Sequence, residues 1–380
     1  MSVNECSHAS WPGLLLAAIV LVPVCHGLFW RQALPCLATE SWAKVEPCER
    51  RRSMVAKVPV LVVAYRRYDF LSRVIVEIPN DRPVYIVVDG PRDKSHESDV
   101  RITRGLVEAF AFSRRDVNIL IRDVNLGGPL GIPAAIDWVF QREDQALIFE
   151  EDCVPSPLCF PFVDNILPSF ANCPSAAGVT LNNCVAARGI KNYSAPFLSI
   201  FTHNWGWLTS RKCWERLRPD PRAIGPMSSC KISSELRSVL ATTFPGDVVA
   251  QHYWKAIFES LLSGESYHWD YNYSMNLWLA GLKFIAPPCN LVTNIGIDGR
   301  SQNCKSKSPN HLLPITSDAS DGSASGLFHA LDENYSYKVF DKLNQSIVFT
   351  PPASAMVRSR QFLSRLLRRL ASTSSKEWNC

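Results

Sequence analysis

No CxxC pair occurs among the thirteen cysteines of this 380-residue chain, which argues against zinc ribbons and thioredoxin chemistry. No GxxxxGK[ST] occurs either, so a P-loop nucleotide site is excluded. No GxGxxG follows the first buried-looking apolar run, so a dinucleotide oxidoreductase is not expected. The middle of the chain has no dense Lys/Arg block, and forty basic residues against thirty-five acidic ones leave a net charge of only +5. Nucleic acid is therefore not an expected partner. With 47% hydrophobic and 20% charged residues, intrinsic disorder, a collagen-like repeat and a small disulfide-stapled scaffold are ruled out. One large α/β domain or two ordinary ones remain.

Residues 11–30 read WPGLLLAAIVLVPVCHGLFW, a chargeless stretch of about 20 residues, long enough to span a bilayer. Residues 1–30 are expected to be a signal peptide, cleaved near Cys25-His26-Gly27, or a retained signal anchor; a misassigned first residue is a third reading. No Lys or Arg precedes the segment, whereas Arg31, Lys44 and Arg50 to Arg52 follow it, a pattern that suits an anchor poorly. Both main readings put the rest of the chain in the lumen of the Golgi or ER, membrane-bound through this segment or secreted after cleavage. Sequons at Asn192, Asn272, Asn334 and Asn344 point weakly the same way. The cluster Cys153, Cys159, Cys173 and Cys184 suits disulfides in an oxidising compartment, or equally buried thiols.

Residues 31–57 are polar and aperiodic, and read as a stem. Four short apolar runs then follow: 58–64, Val84 to Val88, Val117 to Ile121 and Ala146 to Phe149. Runs apolar on both faces suit parallel strands buried beneath helices. A helix is predicted from Gly131 to Gln141, with Ile132, Ala135, Ile136, Val139 and Phe140 on one face. Alternating strands and helices give an α/β fold with an open sheet. The strand ends carry Tyr65-Arg66-Arg67, Asp89-Gly90-Pro91-Arg92, Asn125-Leu126-Gly127-Gly128 and Glu150-Glu151-Asp152. Ligands bind beyond such ends, and arginine, carboxylate and glycine together are what a nucleotide site needs.

Three consecutive carboxylates at 150–152 are costly unless solvent or a cation relieves them. A divalent metal such as Mn²⁺ or Mg²⁺ would do so. The series VPVLVVAYRR, VYIVVDGPR, DVNLGG, ALIFEEDCVPSPLCFPFVDNI and HNWGWLTSRKCWERL resembles the GT-A nucleotide-sugar glycosyltransferases over residues 58–300. It is similar to family-2-like, haemolytic-protein-like bacterial enzymes, and also to the N-acetylglucosaminyltransferase I group. The resemblance implies a GT-A, Rossmann-like open mixed sheet flanked by helices. It implies a nucleotide-sugar donor, a UDP-sugar first, and a glycan, glycoprotein or glycolipid acceptor. Donor binding would fall to Arg67, Asp89, Gly90, Asn125, Gly127, Gly128, Glu150, Glu151 and Asp152. Asp152 would be the metal ligand, Glu151 would lie near the ribose or sugar, and Asp89 would meet the base. The first strand departs from the family pattern at Arg66, and the acidic triplet is EED rather than EDD.

Trp205 and Trp207 alternate, so on a strand both would share one face, suited either to stacking on a sugar or to core packing. Asp270 stands between Trp269 and Tyr271, where burial would raise its pKa as a general base requires, or it caps a helix. The resemblance favours the base of an inverting reaction, with His268 and Trp269 near the acceptor. The NLV-NIG stretch at 290–296 also resembles the family, but no histidine follows it before His311. Residues 301–350 read as a C-terminal extension containing a small, polar loop at 317–326, and 351–380 as a basic amphipathic tail. Two competing functions stand beside the transferase: a sugar nucleotidyltransferase, and a carbohydrate-binding protein without turnover. The first needs a glycine-rich loop after the first strand, and AYRRYDF has no glycine.

Overall fold

The computed structural model describes residues 57–188, 194–219, 229–264, 267–296, 326–335, 337 and 340–349. The apolar N-terminal segment, nearly all of the stem, the 317–326 loop up to its last residue and the basic tail lie outside these residues. Among the described residues, no helix is long and apolar enough to cross a membrane.

The first half alternates β1 (Val60–Ala64), α1 (Tyr68–Ile75), β2 (Val84–Val88), α2 (Glu97–Ser113), β3 (Val117–Ile121), α3 (Gly127–Phe140) and β4 (Gln145–Glu150). After it come β5 (Cys153–Pro155), α4 (Cys159–Asn172), β6 (Ala176–Thr180), β7 (Phe197–Ser199), β8 (Trp207–Ser210) and α5 (Arg211–Leu217). The rest comprises α6 (Ser229–Thr243), α7 (Val248–Leu262), α8 (Trp269–Leu279), β9 (Lys283–Ala286), β10 (Val292–Asn294) and α9 (Phe340–Val348). Eight strands form one open sheet in the order β3-β2-β1-β4-β8-β6-β9-β7. β1 pairs in parallel with β2 and β4, and β2 with β3. β8 runs antiparallel between β4 and β6, and β7 antiparallel to β9. This is the open mixed α/β sheet flanked by helices that the motif series implied.

The strand period of two divides the core into two layers. Val60, Val62 and Ala64 of β1, with Leu147 and Phe149 of β4, face the layer containing α1 and α4. Leu61, Ala146 and Ile148 face the layer of α3, α7 and α8. By the same alternation Glu150, two residues after Ile148, falls on the α3–α8 side. That places one carboxylate of the triplet on the side from which Asp270 approaches.

Four expectations need correction. The helix predicted from Gly131 begins at Gly127, whose φ of +67° suits glycine at the turn into it. Trp205 and Trp207 do not share a face, because Gly206 between them has φ +78° and β8 starts only at Trp207. Cys153, Cys159, Cys173 and Cys184 are all buried free thiols. The sequons at Asn272 and Asn344 are buried at 3% and 0% exposure within α8 and α9, closed to glycosylation in the folded state. Asn334 is exposed, and Asn192 lies outside the described residues.

The extension joins the same fold. Phe340 and Leu343 of α9 pack on Val185, Phe197 and Ala286. Asp341 accepts hydrogen bonds from Ser199 Oγ (2.6 Å) and Ile200 N–H (3.1 Å).

Candidate active site

A cleft of about 530 Å³ opens beyond the carboxyl ends of β1, β2 and β4, between the N-termini of α3 and α8. Its three corners are built differently.

At the β1–α1 turn, Glu151 is almost fully buried and its carboxylate ties the turn together. Oε2 accepts the Tyr65 N–H at 2.6 Å, and Oε1 accepts Arg67 Nε at 2.6 Å. Arg67 Nη1 lies 2.9 Å from Asp152 Oδ2, while its guanidinium sits over the Phe70 ring at 5.6 Å. Burial pulls the Arg67 pKa down, but Asp152 and Glu151 more than offset this and leave it raised and permanently cationic. A Cβ at Gly296 would overlap Asp152 Oδ2 and lie 2.8 Å from Arg67 Nη1, so a larger residue there would displace the Asp152–Arg67 pair. Glu151, expected near the donor sugar, thus spends both oxygens on the protein.

At the second corner, Asp89 closes β2 onto the start of α3. Its oxygens accept the Leu126 N–H at 3.0 and 3.1 Å and the Gly127 N–H at 2.9 Å, and Arg122 Nη1 lies 3.6 Å away. A Cβ at Gly90 would sit 2.5 Å from the Asp123 carbonyl oxygen, and Asn125 Nδ2 donates to the Gly90 carbonyl at 2.7 Å. Asp89, Gly90 and Asn125 therefore fix the loop. Gly127 and Gly128 are left lining the cleft at the N-terminus of a 14-residue helix, a favourable place for an anion.

The third corner is acidic. Glu150 ends β4, and among the described residues no donor hydrogen-bonds its carboxylate. Burial first, then the negative charge of Asp152, push its pKa up to about 8; Arg67 opposes this, and Asp270 and Glu151 add to it. Asp270 lies in the first turn of α8, whose N-cap is His268, so the capping alternative does not hold in its simple form. Burial raises the Asp270 pKa, partly countered by the Tyr271 N–H and by His268. Both carboxylates line the cleft, as do Asp152 and Arg67.

Among the described residues, no group of three or more His, Cys, Asp or Glu could hold a metal alone. A hard divalent cation does not require such a cage, since it takes one or two carboxylates and completes its shell with water and phosphate oxygens. Glu150 and Asp152, both lining the cleft, offer such oxygens. The residues fit Mn²⁺ or Mg²⁺ with Asp152 shared between cation and Arg67, and with Glu150 as a second oxygen donor beside the Asp152 read from the sequence.

The aromatic residues separate. Trp205, His268 and Trp269 line the cleft. Trp207 is 1% exposed and packs with Trp269 at 6.2 Å between ring centres, Tyr273 at 5.4 Å and Trp214 at 6.4 Å. It supports Trp269 from beneath and does not reach the cleft.

Several lining residues were given no individual role in the sequence reading. Tyr65 Oη pairs with His96 Nδ1 at 2.6 Å, and Arg66 pairs with Asp99 at 3.3 Å. Both pairs join the β1 turn to the 94–99 region and had no local signal. Arg92 and Arg122 stand at strand ends and were legible by position. Asn204, Tyr267 and Gly296 reach the cleft only through the tertiary fold.

No protein-family model and no curated protein sequence matches the chain. Among solved structures it is similar to the mannosyltransferase PcManGT from Pyrobaculum calidifontis, in complex with GDP-Man and Mn²⁺, at 15% identity and TM-score 0.33, covering 59% of this chain and 73% of that one. It is similar to residues 1–349 of S. aureus TarS at 12% identity and TM-score 0.32, covering 42% and 48%. It is also similar to mouse xyloside xylosyltransferase 1, apo form, at 7% identity and TM-score 0.30, covering 60% and 84%. The first and third of these are a mannosyltransferase and a xylosyltransferase, and likenesses of this size carry no argument about this chain.

Proposed function

We propose that the chain is a metal-dependent, inverting glycosyltransferase that moves a sugar from a nucleotide-sugar, a UDP-sugar first, to an acceptor hydroxyl. The observation that supports this best is the convergence of Glu150, Asp152 and Asp270 with Arg67 and the α3 N-terminus in one cleft. Arg67 and the glycine-flanked N-terminus of α3 would hold the diphosphate. A divalent cation at Asp152 and Glu150 would supply positive charge to the leaving diphosphate. Asp270, with its raised pKa, would accept the proton of the acceptor hydroxyl as that oxygen attacks the anomeric carbon. Attack opposite the diphosphate inverts that carbon. Glu151 and Asp89 would act as positioning residues, one for Arg67 and one for the α3 N-terminus.

The test is calorimetry with UDP- and GDP-sugars, with and without Mn²⁺, on wild type and Asp152→Asn, alongside donor hydrolysis. The expected result is metal-dependent binding that Asp152→Asn abolishes while the fold survives. Unchanged affinity and metal dependence in the variant would refute the assignment. Placement in the Golgi or ER lumen, through residues 1–30, belongs to the same proposal. Endoglycosidase should then shift the gel mobility of the expressed protein, with Asn334 or Asn192 as the modified site. No shift, together with protease sensitivity on the cytosolic side of microsomes, would oppose it.

A further inference from the structure

A second cavity of about 310 Å³ lies behind the first and shares Asn204, Trp205 and Asp270 with it. Its walls are mainly aromatic. Phe349 stacks on Phe201 at 5.1 Å and an 18° interplanar angle, on His203 at 6.2 Å and 17°, and meets Trp254 at 4.9 Å. Besides His203, the polar residues in these walls are Cys184, Thr202, Asn204, Asp270, Tyr271 and Ser274. No lysine or arginine lines the cavity among the described residues. His203 is neutral there, with burial pushing its pKa down to about 4 and its Nε2 accepting from Asn344 Nδ2 at 2.8 Å.

One atom asks for a ligand. Among the described residues no group hydrogen-bonds the buried Asn204 Oδ1, in the wall common to both cavities. Orphaned buried acceptors are rare and costly, and a donor hydroxyl would satisfy this one. An alkyl chain would leave it unpaired. An anionic group would meet no cation and would face Asp270. Aromatic faces with a few convergent polar groups are what an uncharged, polyhydroxylated ring requires.

We propose that this second cavity binds the acceptor, and that the acceptor presents an uncharged sugar ring to it. Asp270, common to both spaces, then takes the proton of the ring's hydroxyl at the junction where that oxygen would reach the donor's anomeric carbon. The word acceptor rests on the transferase reading of the first cleft, whereas the sugar specificity rests on the second cavity alone.

The experiment uses the full chain, saturation-transfer NMR and titration. Neutral probes are the methyl glycosides of glucose, mannose, N-acetylglucosamine and xylose. Methyl glucuronoside is the charged counterpart and octanol the apolar one. Two variants change residues that line the second cavity and not the first cleft, Phe349→Ala and Ser274→Met, and UDP and GDP binding is measured on the same samples. At least one neutral glycoside should bind, weaken about tenfold in Phe349→Ala, and lose its signal in Ser274→Met, with nucleotide affinity unchanged. Nucleotide binding without any neutral glycoside binding would overturn the inference. So would equal affinity for the glucuronoside, binding of octanol alone, or glycoside binding indifferent to Phe349→Ala. Glycoside binding that responds to both variants in a protein that binds no nucleotide would uphold the cavity and refute the transferase reading instead.

Discussion

Asp270→Asn separates chemistry from stability more cleanly than any other single change. The carboxylate sits in the first turn of α8, where a negative charge is worth about 0.3–1 kcal/mol to the helix. Against this, burial raises its pKa, and it adds to the negative field around Glu150. The sign follows from linkage. A carboxyl whose folded pKa exceeds its unfolded value stabilises the fold while protonated, below about pH 4, and that contribution is lost as pH rises through the folded pKa. Once ionised, Asp270 is therefore a burden on the fold, and asparagine removes that charge while keeping the shape. The variant should melt within about 3 °C of wild type, or above it. Turnover should fall by about 10²–10⁴-fold, equivalent to about 3–5.5 kcal/mol of transition-state stabilisation. Donor affinity should hold, because Arg67, the α3 N-terminus and Asp152 carry it. Transfer rate, donor calorimetry and thermal melting on one preparation decide the matter. Wild-type turnover would remove Asp270 from the mechanism, and parallel loss of turnover, donor affinity and several degrees of melting temperature would reduce it to a structural residue.

Removing one partner of the buried Arg67–Glu151 pair should cost far more stability than a surface pair would. Glu151→Gln is expected to destabilise by about 3–5 kcal/mol in urea unfolding, and a loss below about 1 kcal/mol would contradict the clamp. Asp89→Asn weakens charge-assisted bonds to the Leu126 and Gly127 amides, so a loss of about 1.5–3 kcal/mol should accompany weaker nucleotide binding. Gly296→Ala should separate Asp152 from Arg67 and abolish metal-dependent donor binding, which calorimetry would show as an absent rather than a weakened signal. Asp341, whose pKa burial raises to about 6, should lower stability as pH rises from 4 to 7. From 3.8 to about 6 this amounts to about 3 kcal/mol, so the stability gap between wild type and Asp341→Asn, followed by denaturation across that range, should change by an amount of this order.

What could be read directly were the features that depend on neighbours in the chain. β2 and β3 have the ends their apolar runs predicted, and β1 and β4 differ by one or two residues. β1, β2 and the centre of β4 are buried on both faces and so apolar, while β3, at the edge of the sheet, is only partly buried. The residues just beyond them then had to lie along one edge, so Arg67, Glu150 and Asp152 were legible as site residues by position alone. Asp270 was legible from its aromatic flanks. The division of labour among the carboxylates was not. Nothing in Glu150-Glu151-Asp152 distinguishes three identical-looking charges. The alternation of β4 sends Glu150 toward α3 and α8, while Glu151 is captured by the amide of Tyr65 and the guanidinium of Arg67, more than eighty residues away in sequence. Trp205 and Trp207 likewise differ only because Gly206 takes a positive φ where Phe149 and Val292 leave no room for a Cβ. The second cavity was invisible in the sequence for the same reason. Its walls come from the segment before β8, from α7 and α8, and from α9, and residues so far apart share no local pattern until packing brings them together.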